Sequence, residues 1–141
     1  MNIAIGPPKS RDDNHRMMAL FFAKTGKHIV CGGTTASIAA EYLHETVKVN
    51  YVSPDPEIPP TSEIEGVDLV TEGIITIDRI LQYAKNYLKD NDSFKQWSYK
   101  KDGASLAARM LFEEATDINM FIGCAENPAH SEALRILRGR M

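Results

Sequence analysis

The chain has 141 residues, 43% hydrophobic and 25% charged, with a formal net charge of -3 and a pI near 5.8. That length suits one domain spanning 1–141, and the mildly acidic balance gives no electrostatic case for nucleic acid or an anionic membrane surface. No uncharged apolar run approaches the roughly 20 residues of a spanning helix, and MNIAIGPPKS lacks the form of a secretory signal, so the cytoplasm is the expected compartment.

NIAI at 2–5 reads as a short buried strand ended by Gly6-Pro7-Pro8. Asp12, Asp13 and Asn14 are helix-start signals, and Met17, Met18, Phe21 and Phe22 fall on one helical face before Thr25-Gly26. HIVC at 28–31 is a second strand, broken at Gly32-Gly33. The helix that follows carries Thr35, Ile38, Ala39, Tyr42 and Leu43 as its inner stripe. Val47–Val52 alternates apolar with polar and is expected as a third strand. Residues 53–63 hold four of the seven prolines and read as an extended loop, long enough to suggest a lid or docking role.

Residues 66–70 fit either a strand or a helical turn. The stripe Ile77, Ile80, Leu81, Ala84, Tyr87 and Leu88 is helical, and Asp102-Gly103 opens a helix with Ala104, Ala107, Ala108, Leu111, Phe112 and Ala115 inside. The polar stretch between them carries Phe94, Trp97 and Tyr99, expected to fold back over the core or to meet a partner. Ile118–Ile122 is the last strand; Asn127-Pro128 then supplies a helix start with Asn as cap and Pro at the first position.

Strands alternating with helices predict an α/β fold, a three-layer α/β/α arrangement with a mostly parallel, Rossmann-like sheet of four or five strands. In such sheets ligands bind beyond the carboxyl ends of the strands, where the loops at 6–9, 31–35, 53–55 and 123–130 are expected to gather. The strand-turn-helix at 28–43 is the strongest local signal. It directs backbone N–H groups, a helix dipole and two hydroxyls at one place, which suits a phosphate or carboxylate. Gly6, Gly32, Gly33, Thr34, Thr35, Asn127 and His130 are therefore the candidate ligand-binding residues. No Lys follows the turn as in a Walker A motif, and the GxGxxG spacing is absent, so neither a P-loop nucleotide site nor a dinucleotide cofactor is expected.

Other groups have plainer readings beside their chemical ones. His130 could move a proton or be an exposed first-turn residue, and Asp12, Asp13 and His15 share that ambiguity. On a helix Glu65, Asp68 and Glu72 would share one face, as a divalent-ion site or as solvated acids. His28 and His44 read as ordinary strand-edge and helix-surface residues. Cys31 and Cys124 are too few for a disulfide framework and read as buried thiols; no metal site, catalytic set or cofactor is expected.

Four ordered phrases, IGPP, VCGGTTASIAAEYL, IEGVDLVTEGIITIDRIL and FIGCAENPAH, span most of the chain. Together they resemble the C-terminal extension of bacterial stage II sporulation protein E-like (SpoIIE-like) serine/threonine phosphatases. The resemblance implies a fragment of a longer protein without the metal-dependent phosphatase domain, since the acidic two-metal motifs of that domain are missing. It implies a non-catalytic regulatory module with a small anionic ligand or the attached phosphatase domain as partner, and is compatible with a homo-oligomer. A small-molecule enzyme acting on a phosphorylated or carboxylated metabolite, and a docking or oligomerisation domain, are the alternatives.

Overall fold

The computed structural model describes residues 1–89 and 97–123. In chain order the elements are β1 (Asn2–Ile5), a 3-10 turn (Arg11–Asp13), α1 (Asn14–Ala23), β2 (His28–Cys31), α2 (Gly33–Leu43), β3 (Lys48–Val49), β4 (Ser62–Glu63), β5 (Leu69–Thr71), α3 (Ile74–Lys89), α4 (Gly103–Arg109), a π-helical turn (Met110–Glu114) and β6 (Asn119–Ile122). The expected helix after Asn127 lies outside the described residues.

The fold is α/β. Its six strands form one mixed sheet in the order β3-β4-β5-β2-β1-β6, with β5, β2, β1 and β6 mutually parallel. This is one strand more than the upper expectation. The extra strand is β4, inside the proline-rich stretch, where Ser62 and Glu63 pair antiparallel to both neighbours. The run 47–52 yields only the two residues of β3, an edge strand beyond which Tyr51 and Val52 are exposed. Residues 66–70 resolve as the approach to β5, so Glu65, Asp68 and Glu72 do not share a helix face. The Asp68 carboxylate instead accepts the His28 backbone N–H at 2.8 Å, and Glu72 follows β5 and accepts the Thr76 N–H at 3.4 Å.

Period-two alternation divides the strand side chains between two hydrophobic clusters. Ile3, Ile5, Ile29, Cys31 and Leu69 pack with Ile77 and Ile80 of α3 and Ala104 and Ala108 of α4. Ala4, Val30 and Val70 pack with Met18 and Phe21 of α1 and Ala36 and Ala39 of α2. Small residues on α2 let that helix come close to the sheet. Trp97 is fully buried in the first cluster, with its ring 5.7 Å from Phe112, so this aromatic does fold back on the core, whereas Tyr99 is exposed.

Two polar residues fix the starts of the central strands β1 and β2. Asn2 is fully buried: its amide donates to the carbonyls of Thr25 and Lys27, and its oxygen accepts from Asn119 at 2.9 Å. Such pairing is what makes a buried amide affordable. His28 is buried rather than peripheral, its Nε2 donating to the Phe21 carbonyl at 2.9 Å.

Candidate functional site

The parallel strands end level with one another. Ile5 is in register with both Cys31 and Ile122, and Cys31 with Thr71. The corners that follow, Gly6, Gly32, Glu72 and Gly123, therefore stand side by side. Gly32 and Gly123 flank Gly6 at a separation of about 10 Å, two strand spacings. Two backbone bonds lock the row: the Gly32 N–H donates to the Thr71 carbonyl at 2.9 Å and the Gly123 N–H to the Ile5 carbonyl at 2.8 Å.

The two glycines of the turn do different things. Gly32 sits at φ 113°, ψ 140°, backbone that other residues adopt only with strain. Its N–H is committed to Thr71, so it has none left for a guest. Gly33 is already the first residue of α2, and a Cβ there would meet nothing within 4 Å. Glycine is not sterically required at 33. The first α2 hydrogen bond joins the Ala36 N–H to the Gly32 carbonyl, and no side chain caps the helix. The N–H groups of Gly33, Thr34 and Thr35 thus have no acceptor among the described residues.

The two hydroxyls also differ. Thr35 is 1% exposed, and its Oγ1, without a partner among the described residues, lies 3.3 Å from where a Cβ on Gly32 would sit. Thr34 is exposed and lines a cleft of about 600 Å³. One wall of this cleft is a stripe of α2: Thr34, Ser37, Ile38, Glu41 and Tyr42. The other is the β1–α1 connection and the start of α1: Pro7, Pro8, Lys9, Arg11, Asn14 and His15.

Of the residues expected from the sequence, the structure brings Gly32, Gly33, Thr34 and Thr35 into one turn and places Gly6 at the next strand end. Asn127, His130 and Cys124 lie outside the described residues. The cleft also recruits Lys9, Arg11, Ser37 and Glu41, which lie outside the expected set. A signal for the α2 wall exists in the spacing 34, 37, 38, 41, 42, a helical stripe beside the buried one, but nothing local shows that the Pro7–His15 segment faces it. Asp12 and Asp13 line no part of the cleft, and Arg16 engages Asp13 at 3.0 Å. The proline-rich loop is pinned, with Ile58 buried and Asp55 and Glu57 holding Arg79 of α3 at 3.4 and 2.6 Å. Among the described residues, no group of three or more His, Cys, Asp or Glu is placed to hold a metal ion, and no helix is long and apolar enough to cross a membrane.

Cys31, just before the diglycine corner, is not a nucleophile in this state. Burial pushes its thiol up to about 11, Glu72 adds to the effect, and a hydrogen bond with Thr71 only partly opposes it. Between pH 9 and 11 the unfolded chain gives up this proton while the native chain keeps it, so native stability falls as pH rises through that window. Cys31→Ala removes the effect. Its stability relative to the parent is expected to improve by about 2 to 3 kcal/mol from pH 9 to 11, measured by urea unfolding.

Compared with profiles of known protein families, with curated proteins and with solved structures, the chain matches none.

Proposed function

We propose that this chain is a non-catalytic binding module for a small anionic molecule, held where α2 begins, and that it regulates an attached SpoIIE-like phosphatase domain in the cytoplasm. One observation carries the binding half: α2 begins with unclaimed N–H groups at Gly33, Thr34 and Thr35, and Thr34 lines a cleft whose facing wall holds Lys9, Arg11 and His15. A helix start alone attracts an anion by only about 0.3–1 kcal/mol. Directional donors with neighbouring cations make a site of it. The regulatory half rests on the ordered sequence resemblance described above, and it requires the ligand to prefer one arrangement of the attached domain over another.

Thermal unfolding with inorganic phosphate, sulfate, phosphate esters and carboxylic acids tests the binding. At a hundred times its Kd, a bound anion stabilises the native state by about 2.7 kcal/mol and is expected to raise Tm by roughly 8 °C. Gly33→Val is expected to fold with near-parental stability, since its side chain meets open space, yet to lose most of that shift by crowding the first-turn donors. Tm values that ignore every probe, or a Gly33→Val response equal to the parent's, refute the site.

A further inference from the structure

We infer that the free edge of β3 is a self-association surface, on which a second copy of this chain pairs antiparallel about Val49; the inference is independent of the anion cleft. β3 ends the sheet, and among the described residues no strand lies beyond it. In its ladder with β4, Lys48 stands opposite Glu63 and Val49 opposite Ser62, and the Asn50 N–H donates to the Thr61 carbonyl at 3.0 Å. Antiparallel pairs alternate between bonded and unbonded. Asn50 and Thr61 form a bonded pair, so the pair of Val49 and Ser62 is unbonded, and the N–H and C=O of Val49 point away from β4 into the open edge. The side chains around them are apolar and uncovered: Val49 is 59% exposed, Val52 82% and Tyr51 94%. An edge of this kind is a template for one more strand.

A second copy fits this edge because the sequence is complementary to itself. A twofold axis through Val49 makes the contact isologous, the commonest way for identical chains to close. It sets Val49 against Val49 of the second copy, Val47 against Tyr51 and Lys48 against Asn50, so no like charges stand directly opposite. The next register toward the N-terminus would oppose Lys48 to Lys48, a destabilising pair, and the next toward the C-terminus would set Lys48 against Val52. Within each copy Lys48 has Glu63 as its cross-strand neighbour, which balances its charge beside the axis. Three exposed side chains and a short stretch of backbone on each copy bury on the order of 1,000 Å² in total, the lower end of specific interfaces, so the dimer is a reversible one. A twofold contact consumes the same edge on both copies, so it closes and does not propagate.

Sedimentation equilibrium of the full chain decides the matter, with the monomer giving way to a dimer between about 1 μM and about 1 mM, the range expected of an interface this small. Val49→Lys puts two ammonium groups face to face on the axis and is expected to weaken dimerisation at least about tenfold. Its Tm at low concentration is expected to match the parent's, because the side chain it replaces is exposed. Val49→Glu is expected to behave in the same way. An equimolar mixture of the two variants is expected to recover the association, since the axis then sets ammonium against carboxylate. Leu20→Lys, at an exposed position of α1, adds the same charge elsewhere and is expected to leave dimerisation unchanged. A chain that stays monomeric throughout overturns the inference and leaves the edge to an extended segment of a different protein. A dimer that Val49→Lys leaves intact, or a mixture that fails to recover, overturns it as well.

Discussion

Gly123→Ala is expected to lower the unfolding free energy by about 3 kcal/mol, the upper part of the range for overpacking. A Cβ at Gly123 would collide with the Pro7 carbonyl and the Gly6 oxygen, which belong to backbone and have no rotamer to change. The prolines at 7 and 8 fix φ through the connection and limit how far it can yield. Relief would require Gly6 to leave φ 78° or the level ends of β1 and β6 to separate, at the point where the Gly123 N–H reaches Ile5. Gly6→Ala is the milder comparison. Its Cβ would stand an ordinary 3.6 Å from the Gly123 oxygen, leaving only the strain of positive φ, about 1 kcal/mol. Urea unfolding of the three proteins at constant m separates these cases. An unfolding midpoint for Gly123→Ala equal to the parent's contradicts the close approach. Because Lys9 and Arg11 ride on the same connection, a displaced Pro7 is also expected to weaken the proposed phosphate binding, which titration calorimetry of Gly123→Ala checks.

The parts of the molecule legible in the sequence are those governed by local periodicity. NIAI and HIVC are uninterrupted apolar runs and become central strands buried at every position. The diglycine corner, the helix it begins and the Asp102 cap, which accepts the Ser105 N–H, are short-range features and stand where the residues predict. The failures are non-local. SPDPEIPPTSE contains no strand pattern, and Ser62 and Glu63 become a strand because Val70 is available to pair with Ser62. Acidic residues 65, 68 and 72 suggested a shared face only on a helix that β5 replaces. The site shows the same division. The α2 half is written in spacing, but the cationic half comes from a segment 20 to 30 residues earlier, brought across by the order of β1 and β2 in the sheet. The glycine at 33 is the instructive case. Composition makes both glycines of the pair look like turn residues, yet only Gly32 holds a backbone that needs one.

Reversal of both cations, Lys9→Glu with Arg11→Glu, is expected to weaken binding of phosphate monoesters at least about a hundredfold. Hydrogen bonds to charged groups contribute about 1.5–3 kcal/mol each, so losing two gives a factor of that order before any repulsion is added. Stability is expected to stay within about 0.5 kcal/mol of the parent, because both side chains are exposed and make no ion pair among the described residues. Titration calorimetry beside urea unfolding reads the two quantities separately. The size of the loss identifies what holds the anion. Were the start of α2 sufficient by itself, the double reversal would leave binding close to the parent's, because the helix contribution, about 1 kcal/mol at most at an exposed terminus, is untouched by it. A hundredfold loss assigns the anion jointly to the helix start and the facing loop. Salt supplies an independent reading: raising ionic strength from 0.1 to 1 M shortens the screening length from about 10 to 3 Å and weakens the parent's binding steeply, since its cations are solvent-facing. The reversed variant, whose two glutamates repel the anion, is expected to respond in the opposite sense, its residual binding strengthening as salt is raised.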